Sequence, residues 1–584
     1  MKVSVYILSL VMVMCANLQA ENFKIGIASS LQKIRNDRIG IEKLSYQDNV
    51  YVDIAKDESE SFQLVVVPQG KDIEGLKVVC SAPELAGNSL DMKWHIVGYV
   101  KTANPSYPVE YVGLWPDPLM PAAAVSVAAD KVQPLWFSVV TAPDTAAGIY
   151  KGSIELSSGE NVQTVSLVVN VRNFTIPRPG TLAAPFGLYK WTIEEWYYGK
   201  RDTLKPDDYK RWCRFLAEYR LTPKEIGVEF VERKFEDAAD PSRLTGVDMS
   251  VLEPIIDELS EKYFPPYSMQ LYRLPSGPTV ETGLKNKADW CTPENISQPV
   301  KLYVDEWKKR GFSDNVYIYG IDEAVGEEMY NLLKDIYAEV KKSLPNAKIM
   351  QTGLCNQPEM VGLIDIWCPK NEIAWEPFFQ ERRKAGDILW MYVCCSPVPP
   401  YPNLLVDEPA IDHRVLFWQT KQIGATGFLY WSTLWHAGIE AKPYTDTPAF
   451  PDAVWDHSVT KTYTDPWVHT NGDGLLVYPG NDLQPLPSIR LEVIRDGIED
   501  YEYMVILEKL TAQVIALPQY QANGARSLVK RAKELSEVPA YISKNASEYT
   551  TNPDDLINRR KQIADMIEQL TDILVNKDYT NWKM

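Results

Sequence analysis

Two adjacent acidic residues, Asp322 and Glu323, are the strongest candidates for chemistry in this sequence. They follow the short apolar run Asn315–Gly320, and an acid-rich helical pattern follows them. The run is typical of a buried strand whose carboxyl end carries both carboxylates, and in α/β barrels the reacting groups lie at the carboxyl ends of strands. The alternative is that the pair caps the next helix, where Asp and Glu are favoured anyway.

The other residue types narrow the chemistry to acids and aromatic rings. The chain has only five histidines, none in His-x-x-x-His spacing, so no metal site is indicated. It also lacks a Gly-x-Ser-x-Gly elbow and a Gly-rich phosphate loop, the signatures of serine hydrolases and nucleotide-binding proteins. Neither a metal nor an organic cofactor is expected. Carboxylates together with the 17 tryptophans and 32 tyrosines of the chain are the side chains that a glycoside hydrolase uses.

The spacing of the two acids bears on the mechanism. A glycoside hydrolase needs one acid to protonate the leaving oxygen and one charge beside the oxocarbenium-like centre, usually on different strands and roughly 5–9 Å apart. Adjacent residues, with Cα atoms about 3.8 Å apart, suit substrate-assisted hydrolysis, in which the sugar's 2-acetamido oxygen attacks the anomeric carbon. Asp322 would accept the acetamido N–H, and Glu323 would protonate the leaving group and then deprotonate water. A conventional pair that uses another acid, such as Glu372, is the alternative.

The N-terminal region has a β pattern. Runs such as Phe62–Pro68 and Leu135–Val140 alternate apolar and polar residues and are punctuated by Gly, Pro and Asp. Short strands with regular turn signals predict a β-sandwich, which we place at residues 21–178. The Pro-rich segment Phe174–Gly180 marks its end.

Residues 179–487 have a different rhythm, in which short apolar runs mostly alternate with helix-length amphipathic segments. This is typical of a (β/α)8 TIM-type barrel. The connection between the fifth and sixth strands is short, so an irregular closure is expected there. A doubly wound open sheet is the alternative, but no Gly-x-Gly-x-x-Gly turn opens a helix. The predicted strands are Pro185–Tyr189, Glu225–Phe230, Ser268–Leu274, Asn315–Glu323, Lys348–Thr352, Ile364–Pro369, Ile388–Val393 and Gly427–Ser432.

The remaining residues, 488–584, are predicted to form a helical extension packed on the barrel. Helical patterns lie near Ser488–Leu510 and Pro553–Leu574. The second of these is rich in charge at helical spacing, which indicates a solvated outer face.

The first 20 residues indicate export. Met1–Ala20 has a lone Lys2, an apolar stretch and a small residue before Glu21, the pattern of a secretory signal peptide. The apolar stretch of about 13 residues is too short for a bilayer, which needs ~20. The expected location is therefore periplasmic or extracellular, with lipidation at Cys15 as the alternative. No later segment is long enough to cross a membrane, and the cysteines after Cys15 show neither zinc nor disulfide spacing.

The overall charge bears on the partners. A formal net charge of -18, with no Lys/Arg-rich tract, excludes a nucleic-acid footprint. The expected partner is a carbohydrate with a terminal 2-acetamido sugar. The oligomeric state stays open.

Six segments together resemble one enzyme family. They are Glu58–Leu64 and Pro143–Gly152 in the β region, Tyr319–Glu323 at the acid pair, and Phe417–Gln419, Gly427–Ser432 and Ser488–Tyr503 further on. These segments are similar to glycoside hydrolase family 123, the β-N-acetylgalactosaminidases. The resemblance implies a retaining, substrate-assisted β-N-acetylgalactosaminidase that acts on the ends of glycans or glycosphingolipids. Carried over by position, Asp322 is the acetamido-orienting residue and Glu323 is the acid/base.

Five further residues are candidates for sugar binding. Trp431 ends the eighth predicted strand and Trp435 follows it, so either ring is a candidate floor for the sugar, with a core role as the alternative. Tyr392, late on the seventh strand, is a candidate donor to the acetamido carbonyl. Trp367 and Asn356 lie near strand ends and are weaker candidates. Charged residues of the last resembling segment are instead expected to form internal salt links and caps: Arg490, Arg495 and Glu499.

Two other functions stay open. A non-catalytic glycan-binding protein on the same scaffold would bind the sugar without turning it over, although it would not need both Asp322 and Glu323. A glycosidase of other specificity, such as a β-N-acetylglucosaminidase, is the other possibility, because the residues alone do not separate galacto from gluco substrates.

Overall fold

The computed structural model describes residues 22–121, 124–236, 244–312, 316–346, 348–353, 356–435, 455–456, 470–518 and 526–576. The predicted signal peptide at residues 1–20 and the alternative lipid site at Cys15 lie outside these ranges. Both stay predictions, as do the domain boundaries at residues 178 and 487.

The N-terminal region is built from two antiparallel-rich sheets that share one core. One sheet has the order β1-β3-β9-β6 with β7 beside β6, and the other has the order β2-β11-β10-β4-β5 with β8 beside β4. Side chains from both sheets, among them Leu64, Phe137 and Tyr150, form a common apolar cluster. The predicted β-rich region is therefore confirmed. Its strands are β1 Phe23–Ser29, β2 Asn49–Lys56, β3 Ser59–Pro68, β4 Ile73–Leu85, β5 Asn88–Ser89, β6 Asp91–Lys101, β7 Leu114–Pro121, β8 Val125–Val127, β9 Gln133–Val140, β10 Gly148–Ser158 and β11 Asn161–Thr175.

A nearly closed barrel of eight parallel strands follows, with the order β13-β12-β21-β20-β19-β18-β17-β16. Its strands are buried on both faces, as parallel strands covered by helices must be. The strands of this region are β12 Pro185–Phe186, β13 Thr222–Pro223, the hairpin β14 Glu232–Phe235 and β15 Leu244–Asp248, then β16 Met269–Arg273, β17 Val316–Tyr319, β18 Lys348–Thr352, β19 Ile366–Cys368, β20 Ile388–Val393 and β21 Gly427–Tyr430. Three short strands come later: β22 Trp455–Asp456, β23 Tyr478–Pro479 and β24 Pro485–Leu486.

The second barrel strand differs from the prediction. Residues predicted as the strand Glu225–Phe230 begin in a short 3-10 helix, Lys224–Gly227, and the strand itself is β13, two residues earlier. Lys224 and Glu225 form a buried ion pair there. Adjacent side chains of a regular strand point to opposite faces, so these two residues cannot pair in strand geometry. The barrel opens between β13 and β16, where a hydrogen bond of 3.0 Å from Thr222 Oγ1 to Ser268 Oγ spans the seam.

Helices cover the outside of the barrel, with one exception. Between β18 and β19 the described residues contain only a 3-10 turn, Pro358–Met360, so the predicted irregular connection is confirmed. The helices of this region are α1 Lys190–Tyr198, α2 Pro206–Glu218, α3 Glu253–Tyr263, α4 Gly277–Lys285, α5 Pro293–Lys309, α6 Glu327–Ser343, α7 Pro377–Lys384 and α8 Ala410–Gln422.

Three helices end the described chain: α9 Ile489–Ala516, α10 Arg526–Ser536 and α11 Pro553–Asn576. α9 packs on α8 and is buried on nearly every side as far as Met504. α11 packs on α9 and on β11 of the N-terminal region rather than on the barrel strands. The helical extension thus packs on α8 of the barrel through α9 and reaches the N-terminal region through α11.

Buried charge holds α9 between the two β units. Arg490 pairs with Asp117 of β7 at 2.7 Å, and both side chains are fully buried. The expectation that the charged residues of this segment form internal salt links is confirmed. Six carboxylates and four guanidinium groups form a second network around the helix: Glu58, Glu60, Glu492, Asp496, Glu499 and Asp500 with Arg220, Arg414, Arg495 and Arg560.

Two further observations concern the described residues as a whole. None of their helices is long and apolar enough to cross a bilayer. The six cysteines among them, Cys80, Cys213, Cys291, Cys368, Cys394 and Cys395, are free thiols.

Candidate functional site

Asp322 lies three residues beyond the end of β17, at the mouth of the barrel. Its Oδ1 accepts hydrogen bonds from the hydroxyls of Tyr319 at 2.7 Å and Thr352 at 2.9 Å. Its Oδ2 accepts one from Arg273 at 3.0 Å. Three donors, one of them a guanidinium, hold the carboxylate in one orientation. Asp322 is therefore arranged as a fixed hydrogen-bond acceptor.

Glu323 is the next residue and is solvent-exposed. Its φ of 46° is uncommon for a residue other than glycine, and it turns the chain so that the two acids no longer alternate between opposite faces. One carboxylate oxygen accepts a hydrogen bond from the Tyr392 hydroxyl. The structure thus places the Tyr392 hydroxyl beside the acid pair, where it donates to Glu323.

Thr352 connects the two acids. Besides donating to Asp322, its Oγ1 accepts a hydrogen bond of 3.3 Å from the backbone N–H of Glu323. The next residue is Gly353 at φ +84°, where an added Cβ would lie 3.2 Å from the Glu323 Cα. The end of β18 therefore fixes the position of the backbone at Asp322 and Glu323.

Arg273 and Tyr319 complete the surroundings of Asp322. Arg273 is the last residue of β16, and its guanidinium lies 5.1 Å from the Tyr319 ring centroid. β17 has period two, so Tyr319 faces the barrel interior while Ile318 packs against the helices outside. Sequence reasoning missed Arg273, Tyr319 and Thr352 as site residues. All three follow the rule that located the acids, because each ends one of three neighbouring strands.

An aromatic cluster lies across the mouth, where β12 and β21 end. Trp431 and Trp435 meet edge to face with ring centroids 4.9 Å apart, and Trp191 meets Trp435 in the same way at 5.0 Å. Tyr189 donates a hydrogen bond of 3.1 Å to the Trp431 carbonyl. Trp431 and Trp435 are both half-buried, so part of each ring is accessible to a sugar, as their predicted role requires.

Asp473 sets the orientation of the Trp431 ring. Its Oδ1 accepts hydrogen bonds of 3.0 Å from Trp431 Nε1 and from the Tyr430 hydroxyl. Burial raises the pKa of Asp473 to about 6. The ring also packs against Gly474, where an added Cβ would lie 2.3 Å from Trp431 Cζ2. Only glycine allows that approach.

The loop that carries Asp473 is anchored by Arg490. The guanidinium of Arg490 donates hydrogen bonds of 2.8 Å to the carbonyls of Leu404 and Gly472 and a further one to that of Leu475. The Asp117 carboxylate satisfies its remaining donors. A residue of the β-sandwich thus contributes to the placement of the aromatic cluster in the barrel.

Two predicted sugar-binding residues are placed differently. Trp367 is 1% exposed, and its ring packs against Phe378 and Phe379 of α7. β19 directs it outward, so the prediction that it contacts the sugar is corrected to a core role. Asn356 is half-buried in the loop after β18, and no hydrogen bond ties it to the acid pair within the described chain.

Glu372, the alternative second carboxylate, lies in the loop after β19. Burial raises its pKa, and the Glu323 charge adds to that effect, while Lys370 at 3.7 Å opposes it. One of its oxygens is buried without a hydrogen-bond partner among the described residues.

Residues 296–507 match the family model described as the glycoside hydrolase 123 catalytic domain. These residues are therefore similar to the catalytic domain of family 123 glycoside hydrolases. The resemblance predicted from the sequence is confirmed for this segment, which runs from α5 into α9 and includes the acid pair, Trp431, Asp473 and Arg490. The similarity of this segment indicates a glycosidase.

Solved structures agree with this assignment at the level of the fold. A family 123 glycoside hydrolase from Clostridium perfringens, studied for glycolipid glycan hydrolysis, is 15% identical with a TM-score of 0.68, and the match covers 95% of this chain and 100% of that one. A GH10 xylanase with a bacterial Ig-like domain, from termite gut, is 9% identical with a TM-score of 0.28, over 78% and 99% of the two chains. That second likeness is too low to carry an argument. No curated protein sequence matches the chain.

Proposed function

We propose that this protein is a family 123 glycoside hydrolase, and specifically a retaining, exo-acting β-N-acetylgalactosaminidase that works by substrate assistance. The acetamido oxygen of the terminal sugar attacks its own anomeric carbon, the aglycone leaves, and water opens the oxazolinium intermediate. Glycans and glycosphingolipids that end in β-linked N-acetylgalactosamine are the proposed substrates. The galacto preference comes from the family resemblance, and the glycolipid substrate also from the Clostridium perfringens relative.

The hydrogen bonding of Asp322 is the observation that carries this proposal. An ionised carboxylate offers about four lone-pair sites, and three of those of Asp322 are taken by Tyr319, Thr352 and Arg273. The free site on Oδ2 suits the acetamido N–H. Accepting that proton donor would orient the acetamido group and stabilise the positive charge that develops on it.

Glu323 supplies the acid/base. Its side chain reaches solvent, and Tyr392 occupies one of its oxygens, which leaves the other for the leaving group and then for water. The predicted contact of Tyr392 with the acetamido carbonyl needs the same hydroxyl proton. The Tyr392 hydroxyl would have to turn from Glu323 to the substrate when the sugar binds.

A two-carboxylate mechanism through Glu372 is less well supported. Such a nucleophile must be ionised, yet burial and the neighbouring Glu323 raise the pKa of Glu372. We therefore expect Glu372→Gln to keep most of the hydrolytic activity, whereas Glu323→Gln loses it for substrates with poor leaving groups.

The test compares para-nitrophenyl β-glycosides of N-acetylgalactosamine, N-acetylglucosamine and galactose. We expect turnover of the first alone, with loss in Asp322→Asn and no loss in the control Asp305→Asn, an exposed aspartate of α5. Appreciable turnover of the plain galactoside would contradict substrate assistance. Binding of the first sugar without turnover by the wild-type protein would favour a non-catalytic glycan-binding protein.

A further inference from the structure

Two neighbouring cysteines, Cys394 and Cys395, directly follow β20 at the barrel mouth. Their sulfur atoms are 3.9 Å apart. Both residues are half-buried, so part of each side chain is open to a reagent in solution. The other described cysteines lie on four separate segments of the chain: Cys80, Cys213, Cys291 and Cys368.

A turn at the carboxyl end of β20 brings the two thiols to the same side of the chain. Adjacent side chains of a regular strand point to opposite faces and cannot meet. Here the strand ends at Val393, and the backbone N–H of Cys394 donates a hydrogen bond of 2.9 Å to the Ser396 carbonyl. The side-chain amide of Asn403 donates at 2.8 Å to the Cys394 carbonyl and at 2.7 Å to that of Pro397. The rest of the structure therefore holds the turn that pairs the cysteines.

The two sulfurs are close enough for a disulfide bond but need a small movement to form it. A disulfide bond is about 2.05 Å long, so the sulfurs must approach by about 2 Å. Disulfides usually join Cα atoms roughly 4.4–6.8 Å apart, whereas neighbouring Cα atoms are about 3.8 Å apart. The ring would also contain the peptide bond between the two residues. Closing it must therefore shift the backbone of the turn as well as the side chains.

The turn adjoins the acid/base of the proposed mechanism. Side chains two residues apart on a strand share a face, and both Tyr392 and Cys394 pack in the cluster inside the barrel. The Tyr392 hydroxyl donates to Glu323. Burial raises the pKa of Tyr392, and the charges of Glu323 and Cys394 add to that effect, so the Cys394 sulfur lies within electrostatic range of the hydroxyl. A backbone shift at Cys394 therefore alters the contact between Tyr392 and Glu323.

The surroundings of the pair indicate which thiol reacts first. Contact with Cys395, together with burial and the charges of Asp473 and Glu323, raises the pKa of the Cys394 thiol. The thiolate is the nucleophile in disulfide exchange, and a thiol that stays protonated attacks slowly. Cys395 is therefore the attacking residue, and Cys394 is the residue that closes the ring.

We propose that Cys394 and Cys395 are a reversible modification site, at which a small-molecule disulfide converts the two thiols into a vicinal disulfide that moves Tyr392 away from Glu323. The Cys395 thiolate attacks one sulfur of the reagent and expels the first half as a thiolate. The Cys394 thiolate then attacks the Cys395 sulfur and expels the second half. The protons of the two cysteines pass to the two released thiols, so the protein is oxidised and the reagent is reduced. The effect on hydrolysis rests on the proposed function, whereas formation of the disulfide does not.

The first measurement follows the thiols and does not depend on activity. The folded full-length protein is incubated with oxidised glutathione, alkylated with iodoacetamide and digested, and the peptide that carries residues 394 and 395 is analysed by mass spectrometry. We expect a peptide that is two hydrogen atoms lighter than the reduced one and takes up no iodoacetamide. Cys395→Ser should not form this product. Cys80→Ser, which removes a half-buried thiol of β4, is the matched control and should form it like the wild type. A wild-type peptide that keeps both thiols, or that carries two glutathiones, would overturn the proposal.

The second measurement links the disulfide to Tyr392. Hydrolysis of para-nitrophenyl β-N-acetylgalactosaminide is measured before oxidation, after it, and after reduction with dithiothreitol. We expect kcat to fall about tenfold on oxidation, the equivalent of one lost hydrogen bond, and to recover on reduction. Cys395→Ser should keep the kcat of the reduced wild type throughout. Tyr392→Phe lacks the hydroxyl, so its remaining activity should no longer respond to oxidation.

The other outcomes are distinguishable. A disulfide that leaves kcat unchanged would overturn the coupling to Tyr392. An equal loss on oxidation in the wild type and in Tyr392→Phe would do the same, because ring closure would then act by another route. No turnover by the reduced wild-type protein would overturn the proposed function, while the peptide masses would still decide whether the disulfide forms.

Discussion

The hydroxyl of Thr352 lies 2.9 Å from Oδ1 of Asp322 and, through the same oxygen, accepts the backbone N–H of Glu323. One uncharged side chain on β18 thus aligns both acids that follow β17. Catalytic groups on neighbouring strands must keep a fixed relative position, and a short side-chain bridge between strands does this more rigidly than a loop.

Thr352→Val removes this bridge while keeping the shape of the side chain. Because a hydrogen bond to a charged group contributes roughly 1.5–3 kcal/mol, we expect kcat to fall about 10- to 100-fold. The measurement is steady-state hydrolysis of para-nitrophenyl β-N-acetylgalactosaminide.

A buried threonine elsewhere provides the matched control. Thr511 of α9 donates to the Leu507 carbonyl at 2.7 Å, far along the chain from the acids. Thr511→Val should lose comparable stability but no activity. Equal kinetic losses in the two variants would show that Thr352 matters only for folding.

Asp473 is expected to act through Trp431. Asp473→Leu removes the acceptor of Trp431 Nε1, so the ring is no longer held and KM should rise several-fold, with kcat changed less. Both hydrogen bonds go to Oδ1, which an asparagine retains, and Asp473→Asn should therefore keep the wild-type KM. If Asp473→Leu and Asp473→Asn have the same KM, the hydrogen bond from Trp431 to Asp473 does not affect sugar binding.

The parts of the site that sequence predicted are those with a local pattern. An apolar run that ends in two acids identifies both the strand and its carboxyl end, and so located Asp322 and Glu323. Thr352 and Arg273 end neighbouring strands without any such pattern. Their role depends on which strands are adjacent, and strand order is a property of the fold rather than of a local segment.

The errors have equally physical causes. Trp367 belongs to a strand of three residues, too short for alternation to reveal which residues face the interior. The error at Glu225–Phe230 arose because a buried ion pair and a close glycine replace a regular strand there.

Buried acids around α9 make stability depend on pH. Burial, with a smaller effect of the Glu60 charge, raises the pKa of Asp496 to about 7, whereas an unfolded aspartate titrates near 3.9. The folded state therefore holds an extra proton between these values. The resulting stabilisation is fully present below about pH 4 and is lost as the pH rises through 7.

The corresponding measurement is the thermal midpoint between pH 5 and pH 8. We expect the Tm of the wild-type protein to fall over this interval and that of Asp496→Asn to fall less steeply, because the titrating group is gone. Asp130→Asn, at an aspartate whose side chain is 77% exposed, is the control and should retain the wild-type slope. A wild-type Tm that rises with pH would reverse the assigned direction of the pKa shift.

The central claim, attack by the acetamido oxygen oriented by Asp322, is tested most directly by weakening that nucleophile. The measurement is kcat/KM for para-nitrophenyl β-N-acetylgalactosaminides in which the acetyl methyl carries none, one, two or three fluorine atoms. Fluorine withdraws electrons from the carbonyl oxygen, so the account predicts a steep fall in kcat/KM with each added atom. A rate that does not depend on fluorination would contradict substrate assistance and point to a carboxylate nucleophile of the enzyme.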